Sequence, residues 1–163
     1  MFIFKLIQAL ACAICPHHKQ EELIPEPKPE FALFTLAPPE VQRLLKSNNI
    51  VLLYGLLDSV YHYTSFEDWG QIFRWIYLNE ELPRFTYERW DCDKFAIWLK
   101  DKVCMHFGLN LFAFIIGDVP QGRHGFNLFY SENGLFLWEP QWVNEGEPFR
   151  IGDRGYLPMY ALV

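Results

Sequence analysis

Cys92, Phe95, Ala96, Leu99, Val103 and Phe107 recur at helical spacing, and no other pattern limits the fold of this chain as much. They mark one face of a helix that starts at Asp91 or Cys92 and stops at Gly108, while Asp93, Lys94, Lys100, Asp101 and Lys102 lie mostly off that face. Three strand-like runs follow, at 111–116, 124–130 and 135–139. Ser131-Glu132-Asn133-Gly134 joins the last two as a hairpin turn. A helix with one apolar stripe and strands with an apolar face hide both by packing on each other. The expected fold class is therefore α+β, with a central helix carrying Cys92 packed on an antiparallel sheet carrying His124 and Glu139.

Upstream, Pro38-Pro39-Glu40 opens a short helix through Lys46, with proline in the first turn where its missing N–H costs nothing. Asn48-Asn49 breaks it. Residues 50–54 and 60–63 read as short strands or apolar connectors around Gly55. Ser65 is a good N-cap for a helix to about Asn79, with Glu67 and Asp68 in its first turn and Phe66, Trp69, Ile72, Phe73, Ile76 and Tyr77 at helical spacing. Residues 156–163 form a final strand.

The 163 residues suit one domain, and 51% hydrophobic with 18% aromatic content gives it enough material for a core. Residues 16–30 alternate prolines with charges, a composition that favours extended backbone and reads as a linker. The domain then runs over 31–163. Residues 1–15 are mostly apolar but too short to span a bilayer as a helix. The readings open for them are a short helix docked on the domain and a targeting or membrane-contacting segment. Cys12 and Cys15 precede His17 and His18, but no second ligand pair stands at zinc spacing.

A net charge of −6 and the lack of a basic stripe exclude general nucleic-acid binding. Four unevenly spaced cysteines give no disulfide framework, which points to a reduced, intracellular chain.

A thiol attacks as the thiolate, and a helix N-terminus favours that negative charge. Cys92, between Asp91 and Asp93, holds such a place, whereas Cys104 fits a buried structural cysteine on an apolar face. Among five histidines, His124 opens a strand beside Gly125 and is the best-placed base. Read as a four-residue loop, the hairpin turn pairs Tyr130 with Leu135 and Phe126 with Glu139. Glu139 then shares the face of His124, within side-chain reach, and Asn127 does not.

Trp90-Asp91-Cys92-Asp93, the His124-Gly125-Phe126-Asn127 run and Glu139-Pro140-Gln141 together resemble the papain-like C-terminal domain of the fairy-ring mushroom agglutinin, within the wider papain- and transglutaminase-like cysteine peptidases. The resemblance covers roughly residues 50–145. It implies a Cys-His-Glu triad with Cys92 as nucleophile, His124 as general base and acid and Glu139 as its orienter. It further implies a Ca2+ or Mn2+ ion held by Asp93, Glu139 and Gln141, except that Lys94 stands where the family pattern has another aspartate. No cofactor is otherwise required. The agglutinin's sugar-binding domain has no counterpart here, so the resemblance implies no lectin activity.

Two functions are therefore expected. The leading one is a thiol hydrolase, a cysteine peptidase or related acyltransferase or amidase acting on a peptide or protein substrate. The alternative is a non-catalytic binding or accessory module, of the kind found in phage or mobile-element proteins, that keeps a papain-like fold.

Overall fold

The computed structural model describes residues 26–86, 89, 91–141 and 146–163. The elements run β1 (Phe34–Leu36), α1 (Pro38–Ser47), β2 (Val51–Leu52), β3 (Tyr61–Tyr63), α2 (Phe66–Asn79), α3 (Cys92–Phe107), β4 (Phe112–Val119), β5 (Gly122–Ser131), β6 (Gly134–Trp138) and β7 (Leu157–Leu162), with a 3-10 turn at Asp153–Gly155 leading into β7. The fold is α+β. Residues 1–25, with the apolar segment, most of the linker and the Cys12/Cys15 pair, lie outside the described residues, as does Trp90. No helix among the described residues is long and apolar enough to cross a membrane.

Each helix starts for a local reason. The Glu40 carboxylate accepts from the Ala37 N–H (2.8 Å) ahead of the two prolines of α1. Ser65 Oγ accepts from the Asp68 N–H (3.1 Å) to cap α2. The Asp68 carboxylate also accepts from Thr64 Oγ1 (2.9 Å) and the Ala32 N–H (3.1 Å), which ties the incoming chain to the same turn. α3 ends where Gly108 takes a left-handed φ of 66°.

The main sheet has the order β2-β7-β4-β5-β6, and β1 pairs with β3 separately. It is mixed rather than antiparallel, because β2 runs parallel to β7. β2 reaches the sheet edge from the other end of the chain, so no hairpin fixes its direction. The β5–β6 register matches Tyr130 with Leu135, and Ser131 with Gly134. The turn is thus the two residues Glu132-Asn133, with the register of the longer-loop reading.

Cores lie on both faces of the sheet. On one, α2 and α3 bring Trp69, Ile72, Phe73, Leu99 and Val103 against Phe112, Phe129 and Trp138. On the other, Val41 and Leu45 of α1, with Tyr61, Phe149 and Tyr156, pack against Ala113, Ile115, Phe126 and Leu128. Full burial of each large apolar side chain stabilises the fold by roughly 1.5–3 kcal/mol. Phe95, Ala96, Leu99, Val103 and Phe107 form the buried stripe of α3, with Cys92 half-buried at its head. Cys104 departs from expectation and is exposed beside exposed Met105, because the stripe turns away from it. The chain before β1 is not detached. The Trp75 indole donates to the Glu26 carbonyl (2.7 Å), and Lys28 Nζ donates to the His106 carbonyl (3.1 Å).

Candidate functional site

Strand parity on β5 decides where the site residues point. Asn127 faces α3, and its amide donates to the carbonyls of Ala96 (2.8 Å) and Ala113 (3.2 Å), stapling helix to sheet at a fully buried position. Gly125 faces α3 as well. A Cβ there would lie 2.7 Å from the Asp93 Cα, so the first turn of α3 rests directly on the strand. His124 and Phe126 therefore project from the opposite face. The His124 ring lies 6.2 Å from Phe126 and 6.1 Å, edge-on, from Tyr156.

Glu139 follows the end of β6 and is 3% exposed. Its Oε2 is 2.6 Å from His124 Nε2 and accepts from the Tyr156 hydroxyl at 3.2 Å, while its Oε1 accepts from the Gln141 N–H at 3.3 Å. A carboxylate this deep needs such partners. Burial, reinforced by the Glu139 charge, pushes the Tyr156 hydroxyl far above the ordinary tyrosine range, so it stays protonated and keeps donating.

Beyond this network opens a cavity of about 440 Å³, lined by Val119, Gln121, His124, Glu139, Gln141, Arg154 and Tyr156. Sequence reasoning reached His124, Glu139 and Gln141. It missed Tyr156, read only as part of a strand, and Gln121 and Arg154, which sit in turns. The one signal for the second turn was the glycine pair flanking Asp153-Arg154.

The structure brings His124 and Glu139 together as expected and sets the head of α3 beside them. Cys92 lies near enough to Tyr156 to interact with it electrostatically. Yet no hydrogen bond joins the Cys92 sulfur to His124 among the described residues, and Cys92 does not line the cavity.

The residues expected to hold Ca2+ or Mn2+ do not fit a hard cation. Lys94 Nζ lies 2.9 Å from Asp93 Oδ1 and 2.8 Å from Asp91 Oδ1. Asp91, followed by Asp93, raises the lysine above its ordinary value, so the ammonium already supplies the positive charge there. The same pairing leaves Asp91, at the N-cap position of α3, without a side-chain cap bond. Both oxygens of Glu139 are engaged, and among the described residues no three His, Cys, Asp or Glu side chains gather to hold a metal. A calcium ion takes about six to eight oxygens.

No protein-family model and no curated protein matches the chain. Solved structures do. The PSL1a–E64 complex aligns with a TM-score of 0.61 at 20% identity, over 79% of this chain and 50% of that one. Polyporus squamosus lectin bound to the human-type influenza-binding epitope Neu5Acα2-6Galβ1-4GlcNAc aligns with a TM-score of 0.58, also at 20% identity, over 79% of this chain and 49% of that one. The chain spans about half the length of these structures, and at such identity the likeness is one of fold.

These comparisons correct the leading expectation. The fold is shared with a lectin, a carbohydrate-binding protein, and neither that likeness nor the site supports a cysteine peptidase, hydrolase or acyltransferase acting on a peptide or protein substrate. The structure adds one geometric point: Gly125 and Asn127 are the β5 residues that meet α3, His124 has the alternate parity, and no hydrogen bond joins it to Cys92 among the described residues.

Proposed function

We propose that the chain is a non-catalytic binding module that keeps a papain-like arrangement of one helix laid across a sheet and takes a glycan in the 440 Å³ cavity. One observation carries this reading. The charged wall of the cavity is internally satisfied, whereas the side-chain amides of Gln121 and Gln141 make no hydrogen bond among the described residues. Amides that can both donate and accept suit the vicinal hydroxyls of a sugar. The volume of about 440 Å³ falls in the range of about 300–1,000 Å³ common for small-ligand sites. The lectin among the structural neighbours supports this reading, against the expectation of no lectin activity.

In this reading His124, Glu139 and Tyr156 form a rigid polar wall, and Cys92 lies behind it as a packing residue. The test is NMR titration of the full chain with Neu5Acα2-6Galβ1-4GlcNAc and with neutral oligosaccharides. Shifts should concentrate at Gln121, His124, Gln141 and Tyr156, persist in Cys92→Ala, and vanish in Gln121→Ala/Gln141→Ala. If no glycan perturbs these residues, the reading is lost.

A further inference from the structure

A groove of about 420 Å³ lies beside α2 and shares no lining residue with the 440 Å³ cavity. Phe73 and Tyr77 of α2 and Trp138 of β6 supply its aromatic wall. The Phe73 and Trp138 rings stack at 4.6 Å, and Tyr77 lies 6.5 Å from Trp138. The polar tips of this wall are already used. The Trp138 indole donates to the Tyr77 hydroxyl at 3.0 Å, and that hydroxyl donates to the Pro140 carbonyl at 3.1 Å. The groove therefore offers an occupant ring faces and the Leu78 side chain, 57% exposed. Apolar surface left open to water favours an apolar cover. Arg74 and Glu147 add one charge of each sign.

The described chain enters beside this groove. The Trp75 indole donates to the Glu26 carbonyl at 2.7 Å, and the Glu26 carboxylate lies 4.0 Å from the Arg74 guanidinium. Residues 1–15 are joined to that point by residues 16–25, which reach at most ~35 Å when fully extended. No proline stands between Pro16 and Pro25, so the linker is free to fold back. A short tether of this kind holds its cargo at an effective concentration on the order of millimolar. The cargo matches the groove: only Lys5 and Gln8 interrupt an otherwise apolar run, and Glu147 makes no ion pair among the described residues.

We infer that the groove beside α2 is the docking site of residues 1–15, whose apolar side chains cover Phe73, Tyr77, Leu78 and Trp138 while Lys5 approaches Glu147. Docking hides two apolar surfaces of the same chain from water at once. It stands apart from the glycan reading, which concerns the other cavity.

The experiment places a photo-crosslinker in the full chain as Phe4→benzoylphenylalanine, an exchange of one aromatic for another. After irradiation, proteolysis and mass spectrometry map the attachment, with and without phosphatidylcholine vesicles. The product should be monomeric, lie in α2 or between Trp138 and Pro148, and persist with vesicles present. Leu78→Glu puts a charge on the apolar surface and should remove most of it. Leu78 is exposed, so the melting temperature should stay near that of the labelled parent. Leu6→Asp alters the segment and leaves the groove as it is, and should have the same effect. If Leu78→Glu does not fold, Leu6→Asp alone decides. Attachment elsewhere in the chain, a crosslinked dimer or transfer of the product to lipid overturns the proposal. So does a groove product that survives Leu6→Asp, or the lack of any product.

Discussion

Gly125 and Asp93 meet backbone to backbone: a Cβ on the glycine would stand 2.7 Å from the Asp93 Cα and 3.0 Å from its nitrogen. That contact sets how the head of α3 sits on β5, and so where Cys92 lies relative to His124. Gly125→Ala would push against the Asp93 backbone and the Cβ fixed to it, neither of which can swing away. It should destabilise the protein by about 1–3 kcal/mol in urea unfolding, as overpacking does.

Gly70, in the middle of α2, gives the opposite sign. It is exposed, and a Cβ there meets nothing within 4 Å. Gly70→Ala should stabilise by about 0.5–1 kcal/mol through helix propensity. If both glycine variants shift the urea midpoint the same way, the packing at Gly125 is not as described.

Asn127 should be among the costliest polar positions to change. Asn127→Ala leaves the carbonyls of Ala96 and Ala113 without this donor and opens a gap between helix and sheet. The expected loss is about 2–4 kcal/mol, read from urea unfolding. A loss below about 0.5 kcal/mol would show that the staple is not made.

Tyr156→Phe and Glu139→Ala test the wall of the cavity. The first removes one 3.2 Å hydrogen bond and should cost about 1 kcal/mol. The second removes the shared acceptor of His124 Nε2, the Tyr156 hydroxyl and the Gln141 N–H together, and should cost about 3 kcal/mol. Equal losses would contradict a network centred on Glu139.

Glu80 gives a pH-dependent prediction. Its Oε2 lies 2.7 Å from Lys102 Nζ and its Oε1 2.5 Å from His106 Nε2, clamping the end of α2 to the last turns of α3. The Lys102 hydrogen bond, followed by that of His106, holds the carboxyl below its ordinary 4.5 despite partial burial. A lowered folded value means the stabilisation is complete above the ordinary value and is lost as pH falls through the lowered one. Glu80→Gln should therefore cost about 1 kcal/mol at neutral pH. The gap to wild type should narrow as the pH is taken towards about 3. A gap that widens on acidification would reverse the sign of the clamp.

Local sequence signals suffice for the α+β class, the three helices and the strands after α3. Ser65, Gly108 and the stripe from Phe95 to Phe107 act through neighbours a few residues away. Parity along β5 and β6 likewise placed Glu139 beside His124, because side chains alternate strictly once a register is set. Tertiary structure decided the rest. The direction of β2 depends on a strand from the far end of the chain, and the exposure of Cys104 on which neighbours cover α3. The pairing of Lys94 with Asp91 and Asp93, three and one residues before it, is by contrast local to the first turn of α3. The cavity joins the turn at Gln121, the residues after β6 and the turn at Arg154, three segments far apart in the chain. Their meeting follows from strand order and from the packing of Gly155 on Pro120, which no spacing along the chain encodes.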